Sequence, residues 1–230
     1  MALAHVPGAA WCATDTYLPL ATGNFWQYRT PGGLEDSQLV IGPVTFEGIE
    51  TIAVEFDPNH GNAGLRNYWT EAPDGDLVFW GFYRWFDNFG VRYDPPIPFL
   101  DAPLEVGRTW QATTTPRILP EQQDEPSFTL YFTVDEHGAL TVPAGSFDAW
   151  AIRYGGAPAR HPSAISRVEF DVMGRRVSTA AAAGSAPDWW SLGIGRVTQV
   201  VGSDRYELVS FDFPTPVSAV TWGRIKRLYR

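Results

Sequence analysis

The chain has 230 residues, 44% of them apolar and 14% aromatic, so it can bury a full core and is not a disordered polymer. Its formal net charge of -9 argues against a nucleic-acid partner, because phosphate binding needs clustered positive charge. The single cysteine, Cys12, excludes an intramolecular disulfide and a Cys-based zinc site, and no apolar run is long enough for a transmembrane segment.

Met1 to Ala13 is small and apolar without a basic start or a sustained apolar stretch, and residues 1 to 17 read as a flexible N-terminal segment or the remnant of an export signal. Bulky Trp11 directly before Cys12 departs from the small residues expected at a lipid-attachment site. Residues 18 to 230 read as a single β-rich domain. β-Branched and aromatic runs recur between turn residues, at Phe25 to Thr30, Gln38 to Phe46, Ile49 to Phe56, Leu65 to Glu71, Leu77 to Phe86 and Arg108 to Thr115. A second set follows at Phe128 to Val134, Phe147 to Tyr154, Ile165 to Val172, Gly195 to Val201, Tyr206 to Phe213 and Val217 to Leu228. The expected fold is all-β, with antiparallel sheets forming a curved sandwich or a partly open barrel.

Turn chemistry places hairpins at Asp74-Gly75 and at Asp135-Glu136-His137-Gly138, where glycine supplies a positive φ. Asp94-Pro95-Pro96-Ile97-Pro98 and the stretch from Pro116 to Pro126 read as surface loops, since proline removes a ladder donor. Pro143-Ala144-Gly145 reads as a turn feeding a covered strand in which Trp150, Ile152 and Tyr154 share one face. Gly23-Asn24-Phe25-Trp26 is echoed by Gly107-Arg108-Thr109-Trp110, which suggests two related half-sheets.

No nucleophile elbow or metal-binding helix occurs, and His5, His60, His137 and His161 are scattered among polar turns. The loop Asp57 to Asn62 offers oxygen ligands but lacks the EF-hand pattern. Catalytic residues, metal ligands and cofactors are therefore left unassigned. A hydrolase would have to draw its carboxylates from distant strands. The strongest ligand-binding signal is aromatic: Trp80, Tyr83, Arg84 and Trp85, with Trp189 and Trp190 as a second group. Alternation puts Trp80, Phe82 and Arg84 on one face and Tyr83 and Trp85 on the other, and points Trp189 and Trp190 in opposite directions.

Leu18 to Tyr28, Leu104 to Trp110, Val142 to Trp150 and Leu192 to Val197 carry a Gly-Asn-x-Trp start, a Val-Gly-x-x-Trp strand start, a Val-Pro-Ala-Gly-x-Phe turn and a late Gly-x-Gly-x-Val strand. In these the chain resembles uncharacterised bacterial exported or lipoprotein-like β proteins. The resemblance implies an antiparallel β fold and an extracellular or periplasmic place associated with the cell envelope, and transfers no catalytic residue. The expectation is a noncatalytic envelope or secreted protein that binds a small apolar or carbohydrate ligand or an envelope protein partner. The rivals are a structural or assembly component of an extracellular complex, and a hydrolase.

Overall fold

The computed structural model describes residues 16–56, 64–158, 169–172, 175–178, 186–201 and 204–214. Cys12, His5, His60, His161, the Asp57 to Asn62 loop and the final strand from Val217 to Leu228 lie outside them. Every regular element among the described residues is a strand. The first six are β1 (Phe25–Arg29), β2 (Glu35–Phe46), β3 (Ile49–Phe56), β4 (Leu65–Glu71), β5 (Leu77–Arg84) and β6 (Phe89–Leu100). β7 (Thr109–Leu119), β9 (Phe128–Val142), β10 (Gly145–Pro158), β13 (Asp188–Ser191), β14 (Gly195–Val201) and β15 (Asp204–Asp212) continue the meander. Each pairs antiparallel with its neighbour in this order, β15 returns to β1 and β6 pairs β7, so twelve strands close into a barrel. Closure is tighter than the expected sandwich or partly open barrel, and it removes both sheet edges. β8 (Gln123–Asp124) adds a short strand beside β7, and β11 (Glu169–Val172) pairs with β12 (Arg175–Ser178) separately.

Alternation decides which side chains enter the barrel. Trp26, Tyr28, Trp69, Phe79, Phe99, Phe132 and Trp190 are buried in one aromatic core, with Phe99 in ring contact with Trp69, Phe132, Tyr154 and Trp190. The outer faces carry ion pairs such as Arg66–Glu55 at 2.6 Å and Arg117–Asp124 at 2.7 Å. An apolar lining inside charged walls is the reverse of the arrangement a barrel presents to lipid.

Three sequence expectations about loops and turns give way, in whole or in part, to strand. Asp94 to Pro98 lies within β6, not in a loop. The β5 ladder passes from Phe79–Ile97 to Gly81–Arg92, so Tyr93 to Pro96 bulge opposite Trp80 and Pro95 and Pro96 need donate nothing there. Gly81 makes this possible: at φ +144 its missing Cβ would sit 2.0 Å from the Val91 carbonyl oxygen. Pro116 likewise lies inside β7, where it faces Tyr93. Asp135 to Gly138 runs on as strand, because the long β10 supplies partners throughout and a bulge at Ala151/Ile152 absorbs the extra residue. The turn of this hairpin is Pro143-Ala144, where Val142 pairs Gly145, and Trp150, Ile152 and Tyr154 do pack against or into the core.

The two Gly-x-x-Trp segments share one geometry. Gly23 and Gly107 take φ 91 and 87, their N–H groups donate to Val40 and Val134, and the Val40 and Val134 N–H groups donate back to Asn24 and Arg108. Each motif opens a run of six consecutive barrel strands and sends a tryptophan inward, Trp26 to the Ile194 carbonyl and Trp110 to the Pro98 carbonyl. The Pro143-Ala144 turn has its own docking place: β14 pairs β15 only over Asp204 to Glu207, and the Ala144 N–H donates to the adjacent Leu208 carbonyl at 3.0 Å.

Candidate ligand site in the barrel interior

Inward positions are not uniformly apolar. In β2 the alternation that buries Val40 also buries Asp36 and Gln38, and in β4 it places Asn67 between Leu65 and Trp69. A register shift between Trp189 and Trp190 turns Arg196 toward Trp190, with its guanidinium 4.8 Å from that ring. These groups come from β2, β4, β13 and β14 and meet on one side of the lumen.

Part of this sector is a hydrogen-bonded chain. Arg196 Nη1 donates to Gln199 Oε1 at 2.7 Å, and Gln199 Nε2 donates to Asp36 Oδ2 at 3.0 Å. On the other side Arg196 Nε stands 3.7 Å from Asp188 Oδ2, which also accepts from the Tyr154 hydroxyl at 3.3 Å. The Val200 N–H holds Asp188 Oδ1 at 2.9 Å. One buried guanidinium thus lies between two buried carboxylates, a costly arrangement that persists only when each charge is held by neighbours.

The rest of the sector is polar and unsatisfied. Gln38, Asn67, Trp190 and Arg196 line a cavity of about 10 Å³, the space of a single water. Asn67 is 1% exposed, yet neither its amide oxygen nor its nitrogen has a hydrogen-bond partner among the described residues. Gln38 Nε2 and Trp190 Nε1 are unpartnered in the same sense. The remaining wall is apolar, formed by Leu18, Val54, Phe56 and Trp69. Leu18 belongs to Thr16 to Leu20, a segment packed on the core, where the Leu104 N–H donates to the Tyr17 hydroxyl at 3.4 Å and the Tyr17 ring meets Trp150 edge-on. The Gly193 N–H donates to the Thr16 carbonyl at 2.8 Å, and the Asn24 side chain donates to the Pro19 carbonyl at 2.8 Å.

The six aromatic and arginine positions singled out from the sequence separate into three places. Trp190 lines the cavity, while Trp189 is half-buried and packs against the core cluster. Because of the Gly81 bulge, Arg84 follows Phe82 inward, with its guanidinium 4.8 Å from the Phe89 ring and 3.0 Å from Asp87. Trp80 and Tyr83 fall together outside, against Phe46, Ala53, Tyr68 and Leu119. Phe82 and Trp80 therefore do not share a face. Both polar handles outside are used: Trp80 Nε1 donates to Thr70 at 2.9 Å and the Tyr83 hydroxyl to Asn88 at 2.5 Å. Trp85 is 47% exposed beneath the Arg66 guanidinium, 4.4 Å from its ring. His137 is exposed, 3.0 Å from Asp148 and stacked on Trp150. No group of three metal-ligand side chains converges among the described residues.

Gln38, Asn67 and Arg196 were not singled out from the sequence, since each is a single polar residue that no motif marks. For Asn67 the signal was present in Leu65-Arg66-Asn67-Tyr68-Trp69, where an amide shares a face with two core residues. For Arg196 the bulge erased it.

Fold and site define a closed antiparallel β-barrel with a small, mainly apolar cavity in its lumen, bordered by Gln38, Asn67, Trp190 and Arg196. No protein-family model matches the chain, and no curated protein matches it. Among solved structures it is similar to a "putative lipoprotein" from Parabacteroides distasonis at 13% identity and a TM-score of 0.35, over 86% of this chain and 99% of that one. No helix among the described residues is long and apolar enough to cross a membrane.

Proposed function

We propose that the protein is a noncatalytic envelope or secreted protein whose barrel interior binds a small ligand. The observation that carries this reading is that Gln38, Asn67 and Trp190, whose Nε2, amide atoms and Nε1 have no partners among the described residues, border one cavity. Leaving a polar group buried and unpaired costs about 1–3 kcal/mol, so three such side chains around one cavity favour a bound partner. A ligand larger than one water enters by displacing Leu18, the cavity-lining residue of the segment before β1. The envelope part of the proposal rests on the resemblance of the Gly-Asn-x-Trp and Val-Pro-Ala-Gly-x-Phe segments to exported β proteins.

Binding is tested by ligand-detected NMR with hexan-1-ol and hexanamide. Saturable binding that disappears in Leu18→Trp, which fills the cavity, supports the proposal; absence of binding by either compound overturns it. Location is tested by mapping the mature N-terminus and the native compartment, and recovery of unprocessed cytoplasmic protein overturns the envelope assignment. A second reading, a partner-binding face, draws on exposed Trp85 and Phe86 at the β5–β6 turn. It predicts that Trp85→Ser with Phe86→Ser changes the assembly state seen in sedimentation, and an unchanged profile removes it.

A further inference from the structure

We propose that the ligand of the interior cavity carries an aromatic ring, seated where an internal repeat of the barrel places the image of Phe99. This rests on the binding reading above and adds the chemical class of what is bound.

The repeat begins ahead of the first strand of each half. Residues 19 to 26 and 103 to 110 share the pattern Pro-Leu-x-x-Gly-x-x-Trp, and the Asn24 and Arg108 side chains donate to the Pro19 and Pro103 carbonyls at 2.8 and 3.0 Å. It continues through the ladders. Gln38 pairs Phe56 and Val40 pairs Val54, as Phe132 pairs Tyr154 and Val134 pairs Ile152. Ile52 then pairs Trp69 and Val54 pairs Asn67, as Trp150 pairs Trp190 and Ile152 pairs Asp188. The next register shift recurs too, directly before Trp69 and directly before Trp190, which pair Phe79 and Arg196. Because pairing and bulges decide which side chains point inward, inward residues of these strands have counterparts in the other half.

Phe99 shows what this arrangement holds in one of its two forms. Its ring meets Phe132, Tyr154, Trp190 and Trp69 at centroid distances of 5.7, 5.3, 5.9 and 5.6 Å. The repeat counterparts of those four are Gln38, Phe56, Trp69 and Trp190, the two tryptophans exchanging places. All four line the cavity. The cavity is therefore the repeat image of the place that Phe99 fills. At the matching position of the sequence, which precedes Gly23 as Phe99 precedes Gly107, stands Asp15 and not an aromatic residue. Leu18 occupies the repeat position of Ala102, an isobutyl group in place of a methyl, and it borders the cavity. A ring that moves Leu18 aside meets Trp69, Trp190 and Phe56, and edge-to-face contact with them favours it over a saturated group of similar size.

The test is NMR titration of the full chain with benzyl alcohol, cyclohexylmethanol and hexan-1-ol, the second being the first with its ring saturated. Benzyl alcohol is expected to bind about threefold to tenfold tighter than cyclohexylmethanol, and its ring protons to give intermolecular NOEs to the Trp69 and Trp190 indoles. Leu18→Ala, which copies Ala102, raises the affinity for benzyl alcohol severalfold; Leu18→Val gives a smaller rise and serves if the first variant does not fold. Equal or tighter binding of cyclohexylmethanol overturns the proposal, as do NOEs that reach neither indole or an affinity that does not rise in the Leu18 variants. Each of these leaves interior binding standing where hexan-1-ol binds the native chain and not Leu18→Trp. Binding of none of the three compounds overturns both.

Discussion

The barrel contains two tryptophan-bearing regions that treat their polar atoms in opposite ways. Outside, Trp80 and Tyr83 pack on Phe46 and Tyr68, and their N–H and O–H groups are matched by Thr70 and Asn88. Inside, Trp190 and Trp69 border a cavity where Trp190 Nε1, Gln38 Nε2 and both Asn67 amide atoms lack partners among the described residues. The outer region is complete as it stands, so its aromatic richness is explained by packing. The inner region is energetically incomplete, and an unmet hydrogen-bonding demand is what a binding site and a merely stable core do not share.

The largest expected effect separates the two regions by charge. Arg196→Met leaves Asp188 buried beside an apolar side chain and destabilises by about 3–5 kcal/mol in urea unfolding. Adding Asp188→Asn recovers part of that loss. If the single variant is neutral, the Asp36, Gln199, Arg196 and Asp188 chain does not hold the inner wall.

The outer region has a pH signature. Burial pushes the Tyr68 phenol up from 10 to about 12, with Arg66 opposing and Tyr83 and Glu55 reinforcing. The native state therefore favours the neutral phenol. This stability is fully present below pH 10 and falls through the window up to pH 12, by on the order of 2 kcal/mol. Tyr68→Phe should flatten that alkaline limb in a stability-versus-pH series, and an unchanged limb removes Tyr68 as its cause.

Trp80→Phe is expected to cost about 1 kcal/mol, the worth of its bond to Thr70, with no change in hexanamide affinity. Loss of ligand binding in this variant would erase the distinction between the regions.

Much of the barrel was legible. The limits of β3, β4 and β14 follow from alternation bounded by turn residues, and Gly23 and Gly107 share the geometry their motif implied. What misled were local signals overridden by a partner strand. The prolines of β6 sit in a bulge opposite Trp80, and Asp135 to Gly138 looks like a turn until β10 runs beside it. The site was hidden by the same cause. Bulges at Gly81 and near Trp190 changed which residues face inward, so strict alternation placed Trp80 with Phe82 and gave Arg196 no direction. Asn67 needed no such correction, since its face is shared with Leu65 and Trp69.

Asn67 also offers the most direct test of the central claim that the inner sector is built for recognition. The measurement is the urea midpoint of Asn67→Leu together with its hexanamide affinity. Because both amide atoms lack partners among the described residues, the account predicts stability unchanged or raised by up to about 1 kcal/mol with hexanamide affinity lost. A fall in stability of more than about 1 kcal/mol with hexanamide affinity retained would contradict it, and would make Asn67 part of the folded core's own hydrogen bonding.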